Sequence, residues 1–198
     1  MCALILLVWV AFPASEGERF SSPQFSRSVA VSYLQNVFQG RYGSGFFTGQ
    51  RNQLDFSSLE PGDILLGGNP GGSYGHFTHA GIYVGNGEVM EGYVDCGISR
   101  QGAGHYRYYA WACVLRVKLP PEQRLRAAEY AARREGRMFY PAAFKTGDRY
   151  WNCTKLIWKA YKEEGVDLDP RRDLWLTPDA IYFSPWVERV SCEGEMPQ

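Results

Sequence analysis

Apolar and polar positions along the chain change period several times, and each change marks an element. Residues 3–12, ALILLVWVAF, are unbroken apolar and give way to small and polar residues. That run is shorter than the roughly 20 residues a bilayer requires. It has the pattern of a secretory leader without its charged start, so the sequence predicts a signal peptide over 1–17 and export; a buried first strand is the alternative. In residues 22–40, Val29, Val31, Leu34 and Val37 form a rough apolar stripe closed by Gly40, which predicts a helix. Residues 41–58 are polar and rich in Gly, Ser and Gln, and read as a loop.

LEPGDILLGG sets a turn at Pro61-Gly62 and a short buried strand over Asp63–Leu66. Two further strands, His79–Val84 and Glu88–Tyr93, flank Gly85-Asn86-Gly87, residues that tolerate the positive φ of a tight hairpin. Residues 110–119 read as a strand stopped by Pro120-Pro121, and residues 122–136 as an amphipathic helix ended by Gly136. Residues 150–165 read as a second such helix, ended by Gly165. Thr177-Pro178 starts a short helix before an extended tail. Helix, antiparallel strands, then helices predict one α+β domain over 18–198.

Composition adds two exclusions. Lys+Arg and Asp+Glu number 21 each, and without a basic run nucleic acid is not an expected partner. The Gly-rich stretch GGNPGGSYG lacks the Lys-Ser/Thr ending of a phosphate-binding loop. Aromatic residues make up 15% of the chain, which serves either a well-filled core or a groove with exposed rings. Of five cysteines, Cys2 would leave with a signal peptide. Cys96, Cys113, Cys153 and Cys192 then allow two disulfides, or one disulfide with a reactive thiol and a spare.

One of those thiols has a position suited to chemistry. Asn152 is a good N-cap, so Cys153 opens the second helix. Cys153, Leu156, Ile157, Ala160 and Tyr161 share one face, while Lys155, Lys159 and Lys162 are expected on the other. An inert core thiol fits that stripe. A nucleophile fits it too, because a helix N-terminus favours thiolate and offers free N–H groups to an oxyanion. A base would come from the hairpin. His79 and Glu91 lie six residues either side of Gly85, which faces them across the ladder if the turn centres there. A two-residue turn at Gly85-Asn86 would pair His79 with Gly92 instead, and a bulge would be needed to restore the match. His76, His79 and Glu91 are an alternative zinc set, requiring His76 to bend back from a loop. No role is assigned to His105, and no metal or cofactor is expected.

LEPGDILL, THAGIYVGNGEVMEGY and YWNCTKLIWKAYKEEGVDL resemble the NlpC-type papain-like cysteine hydrolases. The order His, Glu, Cys is similar to the circularly permuted branch, the YaeF/YiiX-like amidases, over residues 59–187. The resemblance implies a papain-like fold with a small antiparallel sheet packed against helices that include the nucleophile helix. It implies Cys153 as nucleophile, His79 as base, Glu91 as its orienter and Tyr140 as a substrate-binding residue. TPDAIYFS resembles the closing segment of that family, whereas Thr154-Lys155 departs from its usual Ser-Glu. The implied activity is thiol-dependent cleavage of amide bonds in cell-wall peptides by an exported enzyme without a membrane span. Ester or lipid hydrolysis, acyl transfer, and a silent wall-binding module are the alternatives.

Overall fold

A computed structural model describes residues 34, 38, 39 and 45–198, apart from 74, 170, 172 and 198. The expected signal peptide and nearly all of the first expected helix lie outside the described residues. Six strands follow in chain order: β1 (Ile64–Gly68), β2 (His79–Gly85), β3 (Glu88–Tyr93), β4 (Gly97–Gly102), β5 (Trp111–Val117) and β6 (Val187–Glu193). They form one antiparallel sheet in the order β4-β3-β2-β1-β5-β6. With them among the described residues are the helices α1 (Pro121–Ala132), α2 (Cys153–Glu163) and α3 (Pro178–Tyr182) and a 3-10 helix (Ala103–Tyr108), an α+β fold.

Alternation along the strands separates two cores. Ile64, Leu66, Ala80, Ile82 and Met90 face α1 and α2, where Ala127, Ala131, Leu156, Ile157, Ala160 and Tyr161 complete the main core. Leu65, Val89, Ala112 and Val114 point to the other face and pack with Tyr106 of the 3-10 helix. Sheet and helices therefore assemble because β1, β2, β3 and β5 carry apolar side chains at both parities. β1 is central and buried throughout, which matches its continuous apolar run. Among the described residues, no helix is long and apolar enough to cross a membrane.

The hairpin turn differs from both expected versions. It is a two-residue turn at Asn86-Gly87, with φ of 55° and 76°, as a type I′ turn requires. Ile82 pairs Met90 and Tyr83 pairs Val89, and the register then shifts before Gly85 pairs Glu88. The bulge corrects the parity. Continuing the register sets Glu91 opposite Gly81, so His79 and Glu91 are diagonal neighbours on one face rather than a directly facing pair.

Of the two disulfide counts left open, the described residues have one disulfide. Cys113 and Cys192 are paired across β5 and β6 and joined by a disulfide, while Cys96 and Cys153 are free. The closed loop is long, with a sequence separation of 79. Replacing both Cys113 and Cys192 by alanine is expected to lower stability by about 2–4 kcal/mol, read as a lower urea midpoint. An unchanged midpoint would show that the bond carries no stability.

Candidate active site

α2 begins where the sequence places it. The Asn152 side chain accepts from the Lys155 N–H at 2.8 Å, and its amide donates to the Pro141 and Ala143 carbonyls. This N-cap ties the helix start to the 138–151 segment. Leu156, Ile157, Ala160 and Tyr161 are buried as expected. Lys155 is not on the solvent side; it is buried, and its ammonium donates to the Thr146 and Tyr150 carbonyls. Those carbonyls, invisible to helical periodicity, satisfy the charge. Cys153 stays partly exposed at the head of the helix and borders a cavity of about 300 Å³.

His79, the first residue of β2, borders the same cavity, and Cys153 is among the neighbours that raise its imidazole. Its Nε2–H donates to Glu91 Oε2 at 2.7 Å, which leaves Nδ1 for the thiol. The structure thus brings together Cys153, His79 and Glu91, from separate elements. Gly81 is the reason the middle of this arrangement fits. A Cβ there would lie 2.7 Å from the Tyr106 hydroxyl and 3.2 Å from Glu91 Oε2, so a larger residue would push away the hydroxyl that donates to the carboxylate.

Glu91 is fully buried and held from several sides. Tyr106 donates to Oε2 at 2.9 Å and Tyr93 to Oε1 at 3.2 Å. Burial chiefly, and then the Glu91 charge, hold both phenols above the ordinary tyrosine range. They therefore remain O–H donors at neutral pH. The rings of Tyr93 and Tyr109 stack on His79 at centroid distances of 5.0 and 6.2 Å. Burial alone would push the His79 imidazole down, but Cys153 and the Glu91 carboxylate outweigh it and hold the ring well above the usual histidine range.

A second carboxylate positions the approach to β2. Asp179, in the first turn of α3, accepts the His76 N–H at 2.8 Å and the Phe77 N–H at 2.7 Å. Burial raises its carboxyl to about 6 against those two hydrogen bonds. His76 itself is far from the role of a zinc ligand beside His79. Its ring stacks on Trp111, and its Nε2 lies 2.7 Å from the Glu195 carbonyl. His105 takes its place: Nε2 is 3.4 Å from Glu91 Oε1, and Nδ1–H donates to the Gly102 carbonyl at 2.8 Å.

The cavity wall is mostly apolar, with Val94, Phe139, Pro141, Trp175, Leu176 and Pro178 among its residues. Tyr140, the expected substrate contact, is not among them; it is exposed and rests against Tyr150. Its neighbours Phe139 and Pro141 line the cavity instead, because successive side chains of an extended segment diverge. Tyr109 is the site residue that sequence reasoning missed. Its signal was the crowding of four aromatic residues into residues 106–111.

No protein-family model and no curated protein matches the sequence. The structure does match the crystal structure of metalloprotein YiiX from Escherichia coli O157:H7. The TM-score is 0.58 at 17% identity, over 69% of this chain and 98% of that one. The fold is YiiX-like. At this identity the likeness extends to the architecture alone. The YiiX-like sheet nonetheless carries the His79 hairpin in its interior, with α2 packed across it.

Proposed function

We propose that this YiiX-like protein is a thiol-dependent hydrolase of the papain-like kind, with Cys153 as nucleophile, His79 as base and Glu91 as orienter. The observation that supports it is the meeting of a thiol at a helix start with a carboxylate-backed imidazole beside a cavity. Glu91 fixes the proton on His79 Nε2, so Nδ1 takes the Cys153 proton and the pair stands as thiolate and imidazolium. The thiolate attacks the substrate carbonyl, and negative charge collects on the carbonyl oxygen. His79 returns the proton to the leaving group, which departs and leaves a thioester. It then takes a proton from water, whose oxygen attacks the thioester and releases the acid and the thiol.

Two donors stabilise the oxyanion in this mechanism. One is the backbone N–H of Cys153 at the positive end of α2. The other is the Tyr109 hydroxyl. Tyr109 borders the cavity beside Cys153, and its ring stacks on His79. Burial foremost raises its phenol above the ordinary range, so it keeps its proton. Tyr109→Phe is expected to lower kcat by about 10²–10³ while changing KM little. A loss confined to KM would reassign Tyr109 to ground-state substrate binding.

Amide bonds in cell-wall peptides are the substrate class that the family resemblance supplies, and the Cys113–Cys192 disulfide supports export. The apolar wall favours a second reading, in which the cavity holds the hydrocarbon part of an ester or lipid acyl group. Incubation with purified peptidoglycan and, separately, with phospholipid and acyl-ester substrates distinguishes them. Released peptide fragments support the amidase, and liberated fatty acid supports the second reading. No turnover of any of them, with Cys153 no more reactive than Cys96, would leave a binding module. A metal would fit only the His79, Glu91 and His105 donors among the described residues, where its charge would be set against the buried carboxylate.

A further inference from the structure

We propose that His79 Nε2, the Glu91 carboxylate and His105 Nε2 bind a zinc-like divalent cation, and that the bound cation switches off Cys153. The site is separate from the thiol, on the opposite nitrogen of the same imidazole. Its ligand atoms all lie within 4.8 Å of one another. Tetrahedral zinc with bonds of about 2.0–2.1 Å spaces its ligands at roughly 3.3 Å. His79 Nε2 and Glu91 Oε2 stand 2.7 Å apart, and His105 Nε2 and Glu91 Oε1 3.4 Å. Each imidazole nitrogen thus lies beside a different oxygen of the one carboxylate, and a bound ion would draw the three groups inward. Two imidazoles with one carboxylate select zinc and its first-row neighbours over calcium or magnesium.

Counting protons gives the second argument. The Gly102 carbonyl can only accept, so the hydrogen bond at 2.8 Å places a proton on His105 Nδ1. In that tautomer Nε2 carries the lone pair and lies 3.4 Å from Glu91 Oε1, itself an acceptor. Tyr93 has one proton for two claimants, Glu91 Oε1 at 3.2 Å and His105 Nε2 at 3.3 Å. A backbone carbonyl on Nδ1 is also how metal-binding histidines are commonly oriented. The His105 side chain is 29% exposed while Glu91 is fully buried, so the entry lies on the His105 side.

The off-state rests on the hydrolase reading; the binding does not. A cation on Nε2 displaces that proton to solvent and leaves the remaining ring proton on Nδ1. The ring can then neither take up the thiol proton nor give and regain one during turnover.

The test is a calorimetric titration of metal-free protein with Zn²⁺, repeated on Cys153→Ala, His105→Ala and His105→Asn, with circular dichroism to verify folding. One equivalent is expected to bind wild type and Cys153→Ala alike, and both His105 variants are expected to bind at least about 100-fold more weakly. Zinc is expected to halt wild-type turnover at the concentration that half-fills the site. Absence of saturable binding, or equally tight binding by the folded His105 variants, would overturn the site. A thiolate-to-metal charge-transfer band with Co²⁺ would move the metal to Cys153 and overturn it too. Tight binding through His105 with undiminished turnover would overturn the switch and leave the site. A metal-free enzyme that never turns over would remove the hydrolase reading, with the titration still deciding the site.

Discussion

Replacing Cys153 by alanine is expected to lower kcat/KM by about 10⁶, to the level of whatever binding and oxyanion stabilisation achieve alone. The side chain is small and partly exposed, so the fold should survive its loss. His79→Ala should cost nearly as much, and the double variant little more than either, because nucleophile and base act as one unit. Iodoacetamide supplies a substrate-free version of the experiment. At pH 6 it should label Cys153 much faster than the exposed Cys96, and His79→Ala should remove the difference. Full activity in Cys153→Ala would end the thiol mechanism, whatever the substrate. Activity that survives in this variant but disappears with a chelator would instead make the cation catalytic.

Glu91→Gln is expected to lower kcat/KM by about 10³–10⁴, near the cost of an amide at the third position of a triad. The substitution is nearly isosteric, so geometry is not the reason. A glutamine carbonyl oxygen in place of Oε2 still accepts from His79 and Tyr106. What disappears is the negative charge beside a buried imidazole. Cys153 and Glu91 together hold His79 well above the usual histidine range against its burial. The imidazolium of the active pair should therefore persist above pH 6.5, and the alkaline limb of kcat/KM should lie above that value. Glu91→Gln should move this limb downward. A limb that stays in place would mean that His79 does not govern the reaction.

The same coupling has a stability consequence of definite sign. A histidine whose folded value is raised stabilises the fold fully below its unfolded value near 6.5. That contribution fades as pH rises through the folded value. Asp179 acts in the same sense at lower pH. Its carboxyl is raised to about 6 from the ordinary 3.8, so its protonated form favours the fold and the advantage is lost as pH rises between those values.

Much of this architecture was legible as periodicity. The α2 stripe from Leu156 to Tyr161, the apolar run of β1 and the glycine-marked hairpin each identify an element from local pattern alone. β4 was not legible, because GISRQG is an edge strand in which only Ile98 is buried. The 3-10 helix was missed as well. Its two buried residues, Ala103 and Tyr106, are too few to set a period.

The sequence by itself determined that a thiol heads a capped helix, that a histidine opens a strand, and that a glutamate lies in the next. Those are consequences of neighbours along the chain. Only the tertiary structure decided that the three meet, since a bulge of one residue reverses the face of every side chain beyond it. It alone brought His105 and Tyr106 to the Glu91 carboxylate and Tyr109 to the His79 ring, from a segment without helical or strand periodicity. It alone paired Cys113 with Cys192 and freed Cys153. Contacts between distant segments depend on how sheet and helices pack, and no local pattern encodes that distance.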